Sequence, residues 1–418
     1  MKRLLKVTAM TGLLTLTKMA MGFVIAKVVA MYTGPTGIAM LGQVQSMVTS
    51  FTGLTNAPAS SGVVRYTAEN CEHGYAVCSP WWKASLQWII IISSIIIPLG
   101  LLFSEELSNW LLHDPKLSWV VVVTVCLLPL SAIGTLCNSV INGLQQYRRY
   151  IALGMLSAIT SSGIMLIMVT KYSVQGALLA SASQSALVGL VMLVMNIKQP
   201  WLKLSLWWGK VEHKPRKAIR SYMLMAITSA LTVPVSIMIV RGILADKVGW
   251  DITGQWQAVW KISEVYLGVI TMALGTYYLP RLASIKGVDN TIREINRTVV
   301  VILPIVTVLA VIIYFMRDLI ILLLFTSDFS GARDLFAIQL TGDVIKIISW
   351  LYAYPMLSHG ATRLYISSEI IFSISFVVIG FFFIDYYGVD GANLSYLINY
   401  TLYLLFVTFN VRRFISYK

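Results

Sequence analysis

The amino-acid sequence predicts an all-α, polytopic membrane protein with about twelve transmembrane helices in two six-helix bundles around a central cavity. This fold class follows from three features of the chain. Of its 418 residues, 57% are hydrophobic and only 12% are charged, whereas a soluble domain carries about 25% charged residues. Apolar runs of about 20 residues, the length that crosses a hydrocarbon core, recur from one end to the other. Lys and Arg are distributed unevenly between the connections that join those runs.

Turn residues separate the predicted spans. Gly34-Pro35 precedes the second span and Asp114-Pro115 precedes the fourth, and such pairs are typical of turns. Prolines inside the apolar runs, among them Pro58 and Pro129, are expected to bend helices, which helices in a bilayer tolerate. The predicted spans are, in chain order, 8–31, 39–64, 84–104, 118–144, 150–170, 176–197, 221–245, 253–279, 298–316, 334–357, 364–384 and 391–411.

The basic residues indicate the orientation and the domain organisation. Alternate connections, counted from the N-terminus, hold 22 Lys and Arg residues, and the other connections hold five. Cytoplasmic connections carry the excess of Lys and Arg, so both termini are expected on the cytoplasmic side of the membrane. The longest connection, 198–220, is also the most basic, and its cations are expected near anionic headgroups. It is predicted to link a bundle of residues 1–197 to a bundle of residues 221–418.

A short internal repeat supports the division into two halves. Lys27 ends the first span and is followed by Gly42-Gln43-Val44-Gln45, while Arg241 ends the seventh and is followed by Gly254-Gln255-Trp256-Gln257. Because each half has six predicted spans, both halves would have the same orientation in the membrane. The repeat would then be a parallel one, as in several transporter folds.

Charged residues inside the apolar runs are the candidate functional residues. Each Lys or Arg near the centre of a span costs about 2.5–3.5 kcal/mol on insertion scales. Most of them must therefore line a hydrated cavity, pair with an acid, or extend to the headgroup layer. The basic residues are Lys18, Lys27, Arg241, Lys261 and Lys346, and the acidic residues are Glu264, Asp343 and Glu369.

These candidates differ in the alternatives that remain open. Lys18 lies near mid-depth with no acid three or four positions away, so it is the strongest candidate for a ligand contact. Lys27 and Arg241 lie about one turn from a helix end, where extension to the interface is an equal alternative. Lys18 and Lys27 are half a turn out of phase and could face one cavity only if their helix bent, for example near Gly22. Lys261 with Glu264, and Asp343 with Lys346, have the i,i+3 spacing of pairs that neutralise each other.

A surplus of positive charge favours one class of substrate. Fixed cations replace the water that a phosphate or pyrophosphate loses on entering a low-dielectric cavity, whereas cationic drugs need the opposite surplus.

The net charge of +14 does not indicate nucleic-acid binding, because the cations lie in short loops rather than on a basic face with aromatic residues. The sequence has no phosphate-binding loop and no metal-ligand spacing, so we expect a transporter with no metal or other cofactor.

Several strings of residues resemble the Wzx family of lipid-linked oligosaccharide flippases over essentially the whole length. This family belongs to the superfamily that also holds the multidrug exporters and the peptidoglycan lipid flippase. The second half is most similar to members that serve the enterobacterial common antigen, although Lys261 departs from their pattern, which has no cation at that position. The strings include Lys18-Met19-Ala20-Met21-Gly22, Gly34-Pro35-Thr36-Gly37, Val233-Pro234-Val235, Tyr278-Leu279-Pro280-Arg281-Leu282 and Gly342-Asp343-Val344-Ile345-Lys346.

The resemblance implies a substrate and partners. The substrate would be an undecaprenyl-pyrophosphate-linked repeat unit of O-antigen or common antigen, moved to the periplasmic leaflet by alternating access. The polysaccharide polymerase and the chain-length regulator would be partners besides membrane lipids. The five cations would bind pyrophosphate and sugar, and Asp343, Glu264 and Glu369 would set the cavity charge or carry a coupling proton. Candidate sugar contacts are Gln43, Gln45, Asn138, Asn142, Gln255 and Gln257.

Two other functions remain as alternatives. A cation-coupled multidrug exporter of the same superfamily fits the fold but not the surplus of positive charge. A membrane enzyme such as a polymerase or glycosyltransferase usually has long loops for its chemistry, and the predicted loops here are short.

Overall fold

The computed structural model describes residues 2–285 and 287–416, and nearly all of them are helical. Nine helical stretches in that part of the chain are long and apolar enough to cross a membrane. The predicted all-α, multi-pass membrane protein is confirmed, whereas the count of twelve spans and the central cavity stay predictions. The helices are α1 Lys2–Asn56, α2 Ser61–Asn70, α3 Tyr75–Leu102, α4 Ser104–Leu112, α5 Ser118–Gly143, α6 Tyr147–Asn196, α7 Leu204–Trp207, α8 His213–Ala273, α9 Leu279–Ser284, α10 Val288–Leu324, α11 Phe336–Ser358, α12 Thr362–Tyr387 and α13 Val389–Ile415.

The chain divides into two compact units. The N-terminal unit comprises Met1–Tyr32 and Met40–Val235, and the C-terminal unit comprises Thr33–Ala39 and Ser236–Lys418. The predicted bundles, 1–197 and 221–418 with their linker, stay a prediction, and their outermost residues, Met1 and Lys418, lie outside the described residues.

Three of the long helices are broken inside. The breaks lie at Gly34 in α1 (φ 62°), at Ser173 in α6 (φ 51°) and at Gly249 in α8 (φ 85°). Each falls between two predicted spans, which supports the prediction of two spans in each of these helices. Glycine adopts a positive φ at little cost, whereas a residue with a side chain pays about 1–3 kcal/mol. At Ser173 the hydroxyl donates a hydrogen bond of 2.7 Å to the carbonyl oxygen of Tyr32, which holds the break in place.

Pro58 ends a helix instead of bending one, contrary to its predicted role. Helix α1 stops at Asn56, and a buried 3₁₀ turn, Ala57–Ala59, leads into α2. Backbone that is not helical must find hydrogen-bond partners within a membrane protein. Here Ser85 donates to the carbonyl of Pro58 at 2.8 Å, and Ser139 donates to that of Ala59 at 2.6 Å.

Glycine allows α5 and α6 to cross closely in the N-terminal unit. A Cβ atom on Gly134 would lie 2.4 Å from the Cα of Gly189, which leaves no room for any side chain at this crossing. Small residues at such contacts let membrane helices pack backbone to backbone. The crossing brings together the polar faces of α5 and α6 that are described below.

Candidate functional site

The N-terminal unit contains a cavity of about 550 Å³ between α1, α5 and α6. Lys18 of α1 lines it and is the one charged side chain among the described lining residues. Lys18 is exposed and forms no ion pair with any residue that the structure describes. The structure thus places Lys18, which has no acid three or four positions away in the sequence, in a cavity wall.

Hydroxyl and amide side chains make up the polar part of this wall. All three helices contribute them, and Gly22, Gly134 and Gly154 also line the cavity. Of the residues predicted as sugar contacts, Asn138 lines the cavity. Other polar lining residues include Thr49, Thr52, Asn56, Ser131, Thr135 and Gln184.

Lys27 is not part of this cavity wall. It lies half-buried on α1, nine positions after Lys18, and it is absent from the described lining residues. Helix α1 has helical backbone angles at Gly22, and its break comes later, at Gly34. The structure therefore shows no break at Gly22, and it does not place Lys27 beside Lys18 in the described cavity wall.

Asp343 of α11 is fully buried in the C-terminal unit and accepts four hydrogen bonds from neutral groups. The donors are Ser263 at 2.6 Å, Tyr266 at 2.7 Å, Tyr396 at 2.8 Å and Gln339 at 3.3 Å. Its predicted pairing with Lys346 is not observed among the described ion pairs. The carboxylate is stabilised by hydroxyl and amide donors instead, as buried acids must be if they lack a cation.

Lys346 lies one turn further along α11, inside a cage of four aromatic rings. Its ammonium nitrogen is 5.0 Å from the ring centroids of Trp350 and Tyr400, 5.4 Å from that of Tyr396 and 5.8 Å from that of Trp260. Ring faces attract a cation without neutralising its charge. Lys346 thus lies half-buried among aromatic rings and forms no ion pair with a carboxylate in the described part of the chain.

A smaller pocket of about 160 Å³ opens beside Lys346. Trp260, Glu264, Gln339 and Lys346 are among its lining residues. Nζ of Lys261 lies 3.1 Å from Oε2 of Glu264, so the two residues form an ion pair. The Lys261 side chain is 41% exposed and the Glu264 side chain is 47% exposed. Of the two predicted i,i+3 pairs, this one forms. Because it is exposed, it contributes little to stability.

Arg241 of α8 is buried, with an exposed fraction of 2%. Its Nε donates a hydrogen bond of 2.9 Å to Oε1 of Gln257, another predicted sugar contact. The guanidinium is therefore held inside the C-terminal unit by a neutral side chain. Glu264 lies close enough to Arg241 to interact with it electrostatically, and Glu369 of α12 does the same with Lys346.

The structure thus brings six of the eight predicted charged residues into one neighbourhood of the C-terminal unit and places Lys18 and Lys27 in the N-terminal unit. Sequence reasoning missed the aromatic cage and the hydroxyl wall. One signal was available for the cage, since Trp350 follows Lys346 by four residues and Tyr400 follows Tyr396 by four, the spacing of one helix face. Scattered Ser and Thr residues in apolar helices gave no comparable signal for the wall.

Known proteins similar to this chain are transporters. The chain is 28% identical over 407 residues to the lipid III flippase of Escherichia coli (strain K12), with 96% of each chain covered, and equally so to that of Shigella flexneri. Among solved structures, an inward-facing multidrug resistance MATE transporter of the MOP superfamily superposes with a TM-score of 0.73 and 14% identity, covering 97% of this chain and 96% of its own. The lipid II flippase MurJ, in an inward closed conformation, superposes with a TM-score of 0.70 and 16% identity, covering 97% and 87%.

These two structures establish the fold alone, because their sequences have diverged so far. The family described as polysaccharide biosynthesis protein matches residues 4–286, well over half of the chain. The resemblance noted in the sequence strings is thereby confirmed: the chain belongs to the polysaccharide biosynthesis protein family.

Proposed function

We propose that this protein is a flippase that moves undecaprenyl-pyrophosphate-linked oligosaccharide units from the cytoplasmic to the periplasmic leaflet by alternating access. It acts as a transporter and not as an enzyme. The similarity to lipid III flippases over 96% of the chain supports this substrate class. The repeat unit belongs to O-antigen or to common antigen.

The observation that carries the proposal is the positive charge of Lys346. A lysine inside an apolar unit costs several kcal/mol unless it is compensated, and here aromatic rings hold it while Asp343 is occupied by other donors. Such an arrangement keeps a cation available for an anion that arrives from outside. A pyrophosphate group accepts charge-assisted hydrogen bonds of this kind.

The candidate residues have distinct roles in this proposal. Lys18, Lys27, Arg241, Lys346 and, with the weakest claim, Lys261 bind the pyrophosphate and sugar. Asp343 orders the tyrosines around Lys346, and Glu264 and Glu369 set the local charge or carry a coupling proton. The protein lies in a bacterial inner membrane with both termini in the cytoplasm, and the polymerase and the chain-length regulator act next to it.

Transport in vesicles tests the function. An inside-negative potential favours outward movement of an anion by about 2.3 kcal/mol per charge per 100 mV. We therefore expect purified protein in vesicles to move a lipid-linked oligosaccharide when a potential is imposed, with protein-free vesicles as the control. Accessibility of the sugar to an external lectin or oxidant reports the movement. Absence of transport under both a potential and a pH gradient would contradict the function, and transport driven by a pH gradient alone would contradict the electrophoretic mechanism.

A multidrug exporter is the second candidate, favoured by the fold shared with MATE transporters. Aromatic cages and acids such as Glu264 are groups that bind organic cations. In this chain, however, Lys346 already occupies the cage and would repel a cationic drug. We expect a deletion strain to keep its drug susceptibility and to lose surface polysaccharide. The reverse pattern would favour the exporter.

A further inference from the structure

We propose that Lys83, Lys210 and Arg216 form a site for the phosphate group of an anionic membrane phospholipid, at the turn around Gly209. All of these residues lie in the N-terminal unit. The turn belongs to residues 197–212, which connect two of the helical stretches that are long and apolar enough to cross a membrane. A connection in that place lies at a membrane surface. The site concerns a lipid of the bilayer itself, so it does not depend on the proposed transport function.

Hydrogen bonds and stacked rings hold this connection against α3. The hydroxyl of Ser79 donates to the carbonyl oxygen of Leu206 at 2.6 Å. The ring of Trp82 stacks on that of Trp207, with the centroids 5.3 Å apart, and the indole N–H of Trp207 donates to the carbonyl oxygen of Trp201 at 2.8 Å. All three tryptophans are buried. The connection therefore has a defined conformation, which a solvated linker would not have.

Cations of two different helices meet at the Gly209 turn. Gly209 has a φ of 135°, and a Cβ atom placed on it would lie 3.4 Å from Nζ of Lys83. Gln87 of α3 donates to the carbonyl oxygen of Gly209 at 3.3 Å and accepts from the guanidinium of Arg216, in α8, at 3.2 Å. Because Gln87 follows Lys83 by four positions, both side chains lie on one face of α3. One glutamine thus links the turn to the arginine beside the lysine, and Lys210 follows the turn directly.

These cations form no ion pair in the described part of the chain. Residues 197–220 contain seven Lys and Arg residues and one acid, Glu212, and none of these eight, nor Lys83, belongs to a described ion pair. The guanidinium carbon of Arg216 lies 6.0 Å from the ring centroid of Trp88, a contact that does not neutralise its charge. In the proposed orientation this surface is cytoplasmic, where basic pockets bind the head groups of acidic lipids.

Exposed apolar side chains on the same connection favour a lipid over a free phosphate. Leu204 is 75% exposed and Trp208 is 65% exposed. The backbone N–H of Trp208 donates to the carbonyl oxygen of Leu204 at 3.0 Å, which closes the turn that carries both. Tryptophan rings are enriched at the membrane interface, and a basic segment with exposed apolar residues binds an anionic bilayer through both features. A free phosphate would gain nothing from these two side chains.

The test is lipid binding by the purified full-length protein in detergent, measured by thermophoresis. The probes are dioctanoyl phosphatidylglycerol, dioctanoyl phosphatidylcholine and inorganic pyrophosphate. We expect phosphatidylglycerol to bind about tenfold more tightly than phosphatidylcholine, because choline offsets the charge of the phosphate. The double variant Lys83→Gln with Arg216→Gln should abolish that preference, and Lys83→Arg should retain it. Pyrophosphate at the same concentration should not displace phosphatidylglycerol.

Matched variants separate a site from the general attraction between a cationic protein and an anion. Lys116→Gln with Lys171→Gln removes two exposed lysines of the same unit that belong to other connections. This control carries the same loss of charge and should leave the preference for phosphatidylglycerol unchanged. Trp208→Ser should weaken the binding of both lipids by about threefold and leave their ratio unchanged, because it removes apolar contact but no charge.

Four results would overturn the site. The first is equal binding of the two lipids by the wild-type protein, and the second is a preference that survives in the Lys83→Gln, Arg216→Gln variant. The third is loss of the preference in the control variant, which would show that only net charge matters. The fourth is displacement of phosphatidylglycerol by an equal concentration of pyrophosphate, which would assign the cations to a free phosphate.

A single variant keeps the test decisive if Arg216→Gln disturbs the turn that Arg216 helps to hold. Lys83 forms no hydrogen bond or ion pair with any residue that the structure describes, so Lys83→Gln should leave the fold intact. We expect it to reduce the preference for phosphatidylglycerol by about threefold. An unchanged preference in this variant would contradict the site.

Discussion

Each of the two units contains a lysine within its membrane helices, and the surroundings of these two lysines differ. In the N-terminal unit, Lys18 lies at a wide cavity among hydroxyl and amide groups. In the C-terminal unit, Lys346 lies beside a small pocket and is surrounded by four aromatic rings. Hydroxyl groups form hydrogen bonds with a ligand in many orientations, whereas ring faces hold a cation in one place. The comparison indicates that the first site is built for a variable ligand and the second for a fixed charge.

Asp343→Ala should produce the largest effect. It removes the acceptor of four hydrogen bonds in the C-terminal unit, three of them buried, so we expect the free energy of unfolding to fall by about 3 kcal/mol or more. Reversible unfolding in mixed detergent micelles measures this change. Asp385→Ala is the matched control, because Asp385 forms an exposed pair with Lys247 and should cost little. Equal losses in the two variants would show that the network around Asp343 is not a structural centre.

Lys346→Gln should come next, with a loss of transport rate of about ten- to a hundredfold. The reason is that the C-terminal unit then lacks a cation that forms no direct ion pair with a carboxylate in the described part of the chain. Lys261→Gln is the control, since Lys261 belongs to an exposed ion pair and should lower the rate by less than about threefold. Transport in vesicles at equal protein levels decides between them, and similar losses would remove the special role of the cage.

Trp350→Leu should lower the stability by about 0.5–2 kcal/mol through the lost contact with the Lys346 cation. A double-mutant cycle with Lys346→Met isolates this contribution from the loss of packing. We expect the effect of Trp350→Leu to shrink when Lys346 is already replaced, and Trp350→Phe to retain most of the stability. An unchanged effect in the Lys346→Met background would show that the ring contributes only packing.

Ser157→Ala should have the smallest effect on stability. It should nevertheless lower the transport rate. Its buried hydroxyl oxygen has no partner in the described part of the N-terminal unit, so removal should leave the stability unchanged or raise it by less than about 1 kcal/mol. Transport should nevertheless fall by about two- to fivefold if that oxygen contacts the substrate. Ser93→Ala is the control, because Ser93 also has an unpartnered buried oxygen but does not line the cavity. Equal transport rates for both variants would contradict a binding role of Ser157.

The fold class followed from the sequence, because hydropathy and the length of a bilayer leave few choices. The breaks at Gly34 and Gly249 were also predictable, since both glycines lie between apolar runs. The break at Ser173 has no glycine and was predicted only from the length of the runs. Pro58 shows the limit of such reasoning, because a proline bends or ends a helix depending on whether neighbours such as Ser85 can satisfy the freed carbonyl groups.

The candidate site was less predictable than the fold. Sequence reasoning found the charged residues because they are rare in apolar runs, and it singled out Lys18 because no acid lies three or four positions away. It could not choose between the two i,i+3 pairs, because the choice depends on residues far away in the chain. Tyr396 of α13 donates a hydrogen bond to Asp343, and its ring also lies next to the ammonium group of Lys346. Both contacts arise only when α13 packs against α11.

The separation in sequence between Lys18 and much of its cavity has a consequence for biogenesis. Besides α1 itself, the walls come from α5 and α6, which begin at Ser118 and end at Asn196. At a synthesis rate of about 5–20 residues per second, those later walls leave the ribosome about 5–35 s after the lysine does. During that interval the ammonium group has no hydrated chamber to occupy, so the nascent first helix needs shelter at the translocon or a chaperone until its later neighbours arrive.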